Sequence, residues 1–380
     1  MNTQIEVVLT LASPLYVAYP ENQDKLPGGK VISRTAKVGY YNTERLTYVP
    51  IYMANGFRGG LRRKAAARLM DHFKANEGTV SGDFYIGLTC GASSGSPDKS
   101  ALSIEEIVRA RSNVYMGLFG GGARLHQSMY RVSDMVPVIE ATLRAHAVPQ
   151  RYAELMCRKG SRTQGGAAEP VQPWELLSTR TPIRVDDLSR VSRPDEVLSY
   201  ITDPIASVTA HHAALAQNKS DLAQAEEEGV KETRASVANM MSLETVNPGV
   251  PCYFRIDLDN DVSHAQLGLL LLCLQDLFTE NAFGGWTRCG FGKVRVDQIR
   301  LQHEDRVTVW DQLYDDEGCF HLPEAAAPFV TAAGEGIASL KIADMTTFFE
   351  DFSAGTKEKE KTKAREKKAA KAAAAAEAKA

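Results

Sequence analysis

Apolar and β-branched residues run from Ile5 to Leu11 with partial alternation, a pattern that predicts a strand closed by Ser13-Pro14. Pro20 to Gly29 reads as a loop with a Pro27-Gly28-Gly29 turn, and the polar, aromatic stretch from Val31 to Val49 as a cover folded over the surface. Past Pro50 the period changes. Leu61, Ala65, Leu69 and Phe73 recur at helical spacing, which predicts a helix over Gly56–Phe73 with Asn55 as its N-cap. Phe84 to Cys90 reads as a second strand and Ser94 to Ser100 as a loop. Ser103 with Glu106 forms the capping box of a short helix to about Arg111. Strand character follows from Ser128 to Val138. It returns at Cys252 to Leu258, ahead of an apolar helix from Ser263 to about Asn281 and a last core strand from Lys293 to Leu301.

Between these blocks the composition shifts. From Glu140 to about Ser236 the chain is rich in Ala, Gln, Glu and Arg, with a flexible patch at Gly160–Pro173 and a helical pattern over Asp203–Glu228. This reads as an inserted, mainly helical region. An early and a late strand–helix–strand passage around an insertion predict an α+β chain with a split ferredoxin-like (RRM-like) core, a sheet that RNA-recognition folds often use. Val307 to Phe352 is mixed. Thr356 to Ala380 is Lys, Glu and Ala without an apolar face, and reads as a disordered or transiently helical tail.

Length and composition bound the class. A chain of 380 residues suits one elaborated domain or two. Its most apolar stretch, Leu267 to Leu277, contains Gln275 and Asp276 and falls short of the about 20 residues that span a bilayer. The start, Met1-Asn2-Thr3-Gln4, lacks a signal-peptide pattern, so a cytoplasmic protein away from the membrane is expected. The cysteines, Cys90, Cys157, Cys252, Cys273, Cys289 and Cys319, are scattered, which argues against a structural zinc site and a disulfide framework.

The formal net charge of −3 hides a segregation. Lys30, Arg34, Lys37, Arg45, Arg58, Arg62, Arg63, Lys64 and Arg68 share their window with a single acid, Glu44. Such sorting suggests a surface for a polyanion; a solvated helix face is the competing reading.

Several segments carry candidate chemistry. In Asn55-Gly56-Phe57-Arg58-Gly59-Gly60-Leu61-Arg62-Arg63, glycines at a helix start let a phosphate approach backbone N–H groups, and the arginines add charge. In Gly284-Gly285-Trp286-Thr287-Arg288-Cys289-Gly290-Phe291-Gly292-Lys293, open backbone and two cations accompany aromatics that either stack on bases or brace a tight helix-to-strand connection. Leu118-Phe119-Gly120-Gly121-Gly122-Ala123-Arg124 matches neither a P-loop nor the dinucleotide fingerprint. Met240 and Met241 form either an adaptable apolar wedge or ordinary core. No catalytic constellation, metal motif or cofactor motif emerges. His211-His212 lacks evident partners, and Asp24 and Asp134 pair with nothing in the sequence.

Pro50 followed by Asn55-Gly56-Phe57-Arg58-Gly59-Gly60-Leu61-Arg62 resembles the "proline, small residues, Lys/Arg-Gly-x-x-Arg" helix start of the RAMP superfamily, the RNA-binding subunits of CRISPR effector complexes. Leu118-Phe119-Gly120 with Arg131-Val132-Ser133-Asp134 is similar to their "Leu-Phe-Gly … strand-Asp" segment. Gly284 to Val294 is similar to their "Gly-Gly-x-x-Arg-x-Gly-Phe/Tyr-Gly" loop. The three stand in the family's order over roughly residues 1–301, and the nearest likeness is to the backbone (Cas-seven-like) subunit of type IV complexes.

The resemblance implies a palm split over residues 1–139 and 252–301, a helical insertion at 140–236, and a β-hairpin thumb at 237–251 with Met240 or Met241 as its wedge. A C-terminal extension (302–355) and the tail (356–380) complete the chain. It implies a guide-RNA (crRNA) partner, copies of the chain stacked into a filament, other effector subunits, and a target met by guide pairing. Type IV likeness adds a helicase. RNA-binding residues are then Arg34, Lys37, Asn55, Arg58, Gly59, Arg62, Arg63, Arg124, Arg288 and Lys293, with Gly284, Gly285, Gly290 and Gly292 shaping the loop. RNA-cleaving relatives of type III complexes carry an aspartate in the loop after the first strand. Here Asp24 lies in that loop, but its flanks do not reproduce the motif. The expectation is a non-enzymatic guide-RNA scaffold; a metal-dependent RNA endonuclease of the same superfamily and a purely protein-binding scaffold are the alternatives.

Overall fold

The computed structural model describes residues 3–25, 31–41, 46–91, 102–159, 169–181, 183–184, 199, 202–203, 205–207, 209–210, 213, 239–240 and 242–349. In chain order the strands are β1 (Thr3–Leu11), β2 (Ala18–Lys25), β3 (Val31–Thr35), β4 (Lys37–Tyr41), β5 (Leu46–Pro50), β6 (Tyr130–Val132), β7 (Val136–Pro137), β8 (Leu177–Arg180), β9 (Ile183–Arg184), β10 (Asn239–Met240), β11 (Ser242–Val246), β12 (Pro251–Leu258), β13 (Val294–His303) and β14 (Arg306–Trp310). The helices are α1 (Ala54–Asn76), α2 (Gly82–Cys90), α3 (Ile104–Ser112), α4 (Val114–Phe119), α5 (Glu140–Arg144), α6 (His264–Glu280), α7 (Ala327–Ala338) and α8 (Ile342–Phe349).

The fold is α+β. Its central antiparallel sheet has the order β14-β13-β1-β12-β6, with β7 also on β12. Two strand–helix–strand passages, β1–α1–β6 and β12–α6–β13, therefore interleave, and β1 lies between the two strands of the later passage. Opposed residues in antiparallel strands share a face. Ile5, Val7 and Leu9 line up with Ile256, Phe254 and Cys252, and this face is covered by helix. Phe57 of α1 stacks on Phe254 with ring centroids 4.2 Å apart. The other face carries Glu6, Val8, Tyr253 and Arg300. Both faces of β1 are buried, which is why its hydrophobic alternation is only partial.

Several sequence expectations change. Phe84 to Cys90 is a helix, not a strand. Ser81 caps it by accepting from the Phe84 amide at 3.2 Å, Gly91 closes it at φ 78°, and Phe84, Gly87 and Leu88 are buried at helical spacing. The β-favouring side chains of this segment are overruled by packing against α1 and α8. The N-cap of α1 is Met53, and Asn55 is the second residue of the helix, within its first turn. Pro20 to Lys25 belongs to β2 rather than to a loop. Val31 to Val49 is not a surface cover either: β3 joins a second sheet, and β4 pairs with β5 as a hairpin. Ser128 to Val138 splits into β6 and β7. By contrast, the capping box at Ser103 and the helix and strand around the late glycine loop form as expected, and Ser263 with Gln266 adds a second capping box at the start of α6.

The described part of 140–236 holds the short α5, 3-10 turns and the strands β8 and β9. β8 runs antiparallel to β11 from Val246↔Leu177 to Leu243↔Arg180, and β9 to β10 at Met240↔Ile183 and Asn239↔Arg184, so the described pairs keep one register. The pairing makes a two-stranded ribbon. Among the described residues of 237–251, β10 and β11 form one side of it and pair with β9 and β8 rather than with each other. The ribbon's base joins the sheet β2-β3-β11-β8 through a parallel β3–β11 pair. Of the expected Asp203–Glu228 helix, only positions up to 213 are described; Met241, His211-His212 and the 356–380 tail lie outside the described residues.

Candidate nucleic-acid interface

The start of α1 is positioned by three contacts. Tyr52 and Met135 exchange backbone hydrogen bonds at 2.9 Å. Asp134 accepts from the Ala54 amide at 2.7 Å, so a carboxylate already occupies the electropositive helix end that the sequence offered to a phosphate. Tyr52 also packs edge-on against Phe57 and Phe283. Burial pushes its phenol up, opposed by a bond to the Gly284 backbone and by the charge of Arg63. Tyr52 thus joins the α1 start to the late glycine loop, two segments far apart in sequence.

That loop is a tight connection seated on the chain after β1. Gly285 donates to the Tyr16 carbonyl and Gly292 to the Pro14 carbonyl, each at 2.8 Å, while Phe283 donates to Gly292 at 3.0 Å. Gly284 (φ 76°) and Gly292 (φ 76°) stand where a side chain would collide with the Tyr16 and Phe283 carbonyls. Trp286 adopts φ 61° and remains 37% exposed, whereas Phe291 is half-buried. Arg288 and Lys293 are exposed.

The earlier glycine run is closed to ligands. Gly120, Gly121, Gly122 and Ala123 spend their amides on Met116, His126, Gly91 and Phe348. Arg124 pairs with Glu106 at 2.8 Å.

The cations expected to bind RNA divide sharply. Arg62 donates to the Phe119 and Gly120 carbonyls at the end of α4 and lies over the Phe119 ring. Arg58 donates to the Ser128 hydroxyl at 3.1 Å and lies over Tyr130, whose phenol burial pushes up to about 12. Arg34 and Lys37 both grip the carboxylate of Glu244, which is 5% exposed. Lys64 and Arg68, from the same basic window, pair with Glu280 and Asp276 of α6. Arg63, Arg288 and Lys293 differ: among the described residues their side chains meet no hydrogen-bond or acidic partner. Gly59 leaves the space into which Arg63 folds back along α1. Asn55 is exposed at the helix start.

Two features escaped sequence reasoning. Glu6, 1% exposed, gathers Arg151, Tyr152, Tyr253 and Arg300 on the face of the sheet away from α1. Burial raises its carboxyl, but bonds from Arg151 and Tyr152 and the charges of Arg151 and Arg300 win, leaving it below the ordinary value. A glutamate in the middle of an otherwise apolar strand was the available signal. The second feature is a groove lined by Lys37, Leu46, Thr47, Tyr48, Trp174 and Leu177, with Tyr48 and Trp174 exposed. The aromatic density of residues 40–52 hinted at it.

No protein-family model matches the chain, and no curated protein matches it. Among solved structures the chain is similar to a chain of "Type IV-B CRISPR Complex", at 15% identity over 84% of this chain and 94% of that one, with a TM-score of 0.44. It is also similar to a chain of the "Type III-B Cmr-beta bound to cognate target RNA", at 10% identity over 80% of this chain and 61% of that one, with a TM-score of 0.35. Likeness at this level carries neither an activity nor a partner across. No described helix is long and apolar enough to cross a membrane.

Proposed function

We propose that the chain is a guide-RNA-binding backbone subunit of a type IV CRISPR ribonucleoprotein, which grips the RNA backbone without cutting it. The observation that carries this reading is the meeting of the glycine loop and the α1 start at Tyr52, flanked by Arg63, which has no acidic or hydrogen-bond partner among the described residues, and by the loop's own exposed Arg288 and Lys293. Cations left without a partner among the described residues and set on rigid elements suit a strand of phosphates, and the exposed Trp286 beside them offers a stacking face. The interleaved strand–helix–strand passages support a split ferredoxin-like palm. The β8–β9/β10–β11 ribbon is the thumb in this reading, with Met240, paired in register with Ile183, near its outer part, and Met240 or Met241 as its wedge. Copies of the chain would then line up along one guide, with other effector subunits and a helicase as further partners and base reading left to guide pairing.

Fluorescence anisotropy with single-stranded RNA across a salt series tests the grip. The variant Arg63→Ala/Arg288→Ala/Lys293→Ala should weaken binding alike for all sequences, and the log–log salt slope should drop by about 2, since each lost phosphate contact removes about 0.7. Unchanged affinity and slope would overturn the assignment. Cleavage is tested separately with complementary RNA and divalent metal. Regularly spaced products abolished by Asp24→Ala would establish the nuclease reading instead; Asp24 lies in β2, paired in register with Ile32.

A further inference from the structure

At the tip of the central sheet, away from the glycine loop, the fold assembles side chains that no sequence motif joins. His264 is the first residue of α6, His303 the last of β13, and Glu304 the first residue of the turn to β14. One nitrogen from each histidine and one carboxylate oxygen lie within 4.8 Å of one another. The imidazole rings are 5.4 Å apart, and Phe329 of α7 packs edge-on against both.

Two further observations point to a ligand. His303 Nδ1 is held by the Thr3 hydroxyl at 2.8 Å, which fixes the ring, while its Nε2 is buried without a partner. A buried ring nitrogen left unsatisfied is uncommon, and a hydrogen bond on the opposite nitrogen is the usual way a metal-binding imidazole is oriented. The turn itself is also unusual. His303 pairs with Arg306, so Glu304 and Asp305 form a two-residue hairpin turn, and Glu304 sits at φ 52°. That position ordinarily takes Asn, Asp or Gly. Its backbone places the Glu304 carboxylate beside the two histidines.

We propose that His264, His303 and Glu304 form a site for a borderline divalent metal ion of the zinc class, with His303 Nε2 as its buried anchor. Two imidazoles and one carboxylate are a donor set such ions favour, with a fourth position left for water. Bonds of about 2.1 Å place donors about 3.4 Å apart, so the exposed His264 and Glu304 side chains must close on His303 by rotation. The start of α6 opposes a cation through its dipole, and the Glu304 charge offsets it. Bound metal would tie the β13–β14 turn to α6.

The test uses tag-free full-length protein stripped with chelator, titrated with zinc by calorimetry and with cobalt by visible absorption. One equivalent per chain should bind, with a ligand-field band showing mixed nitrogen–oxygen coordination. His264→Ala and Glu304→Gln, both at exposed positions, should weaken zinc at least about tenfold, and Thr3→Val should weaken it less. Absence of stoichiometric binding would overturn the site. So would binding that is unchanged in both His264→Ala and Glu304→Gln, since the metal would then be held elsewhere. His303→Ala is read only where circular dichroism shows the native fold.

Discussion

Two sets of cations share this molecule and differ in what surrounds them. Arg62, Arg68, Arg34 and Lys37 each point to an oxygen of the fold itself: a helix-end carbonyl, or a carboxylate more than a hundred and fifty residues away in sequence for Asp276 and Glu244. Arg63, Arg288 and Lys293 point to none among the described residues. In the sequence both sets look alike, glycine-flanked or clustered, and the basic window around α1 appears uncompensated. In the fold, α6 and β11 bring acids to it. A run of positive charge along a chain is therefore no measure of positive surface. What distinguishes a brace from a grip is whether folding has already supplied the anion.

The contrast can be tested by removing one member at a time. The largest effect is expected at Glu6, the most buried anion of the braced kind. Glu6→Gln leaves Arg300 and Arg151 without their counter-charge and should cost about 3 kcal/mol in urea unfolding. Because its carboxyl titrates lower in the folded protein than in the unfolded chain, its contribution is complete above the unfolded value and fades as pH falls through the folded one. Wild type should therefore lose more stability than Glu6→Gln between neutral pH and acid. Equal losses would remove Glu6 from this role.

Arg62→Ala comes next, at about 2 kcal/mol, since it strips two carbonyls of their donor at the end of α4. A stability change near zero would return Arg62 to the free set. Arg68→Ala should cost less than about 1 kcal/mol, because its pair with Asp276 is partly solvated. The triple change at Arg63, Arg288 and Lys293 should leave the thermal midpoint nearly unmoved, within about 0.5 kcal/mol per site, while altering RNA binding. A large drop in stability there would mean that these residues brace the fold after all.

Much of the backbone plan was legible. β1, α1, α6 and β13 announce themselves through apolar periodicity, and Ser103 and Ser263 mark helix starts through local capping chemistry, which depends on residues a few positions apart. Phe84 to Cys90 reads as a strand but folds as a helix, because its β-favouring composition is outweighed by a capping serine and by aromatic packing against distant Phe73 and Phe349. The ribbon is half legible: its β10–β11 side falls where the resemblance implies a thumb, but the partner strands β8 and β9 lie across a long intervening stretch, and short strands carry little period. The glycine loop was found by its own composition. Its link to α1 through Tyr52 was not.

By itself, the sequence determined where the chain turns, which faces are apolar and where glycine is required, since these follow from each residue and its near neighbours. Only the tertiary structure decided which arginines are spent internally, that Asp134 already fills the helix start, and that His264, His303 and Glu304 meet. Pairing of charges and convergence of ligands depend on distances across the fold, and a separation of tens or hundreds of residues in sequence says nothing about those.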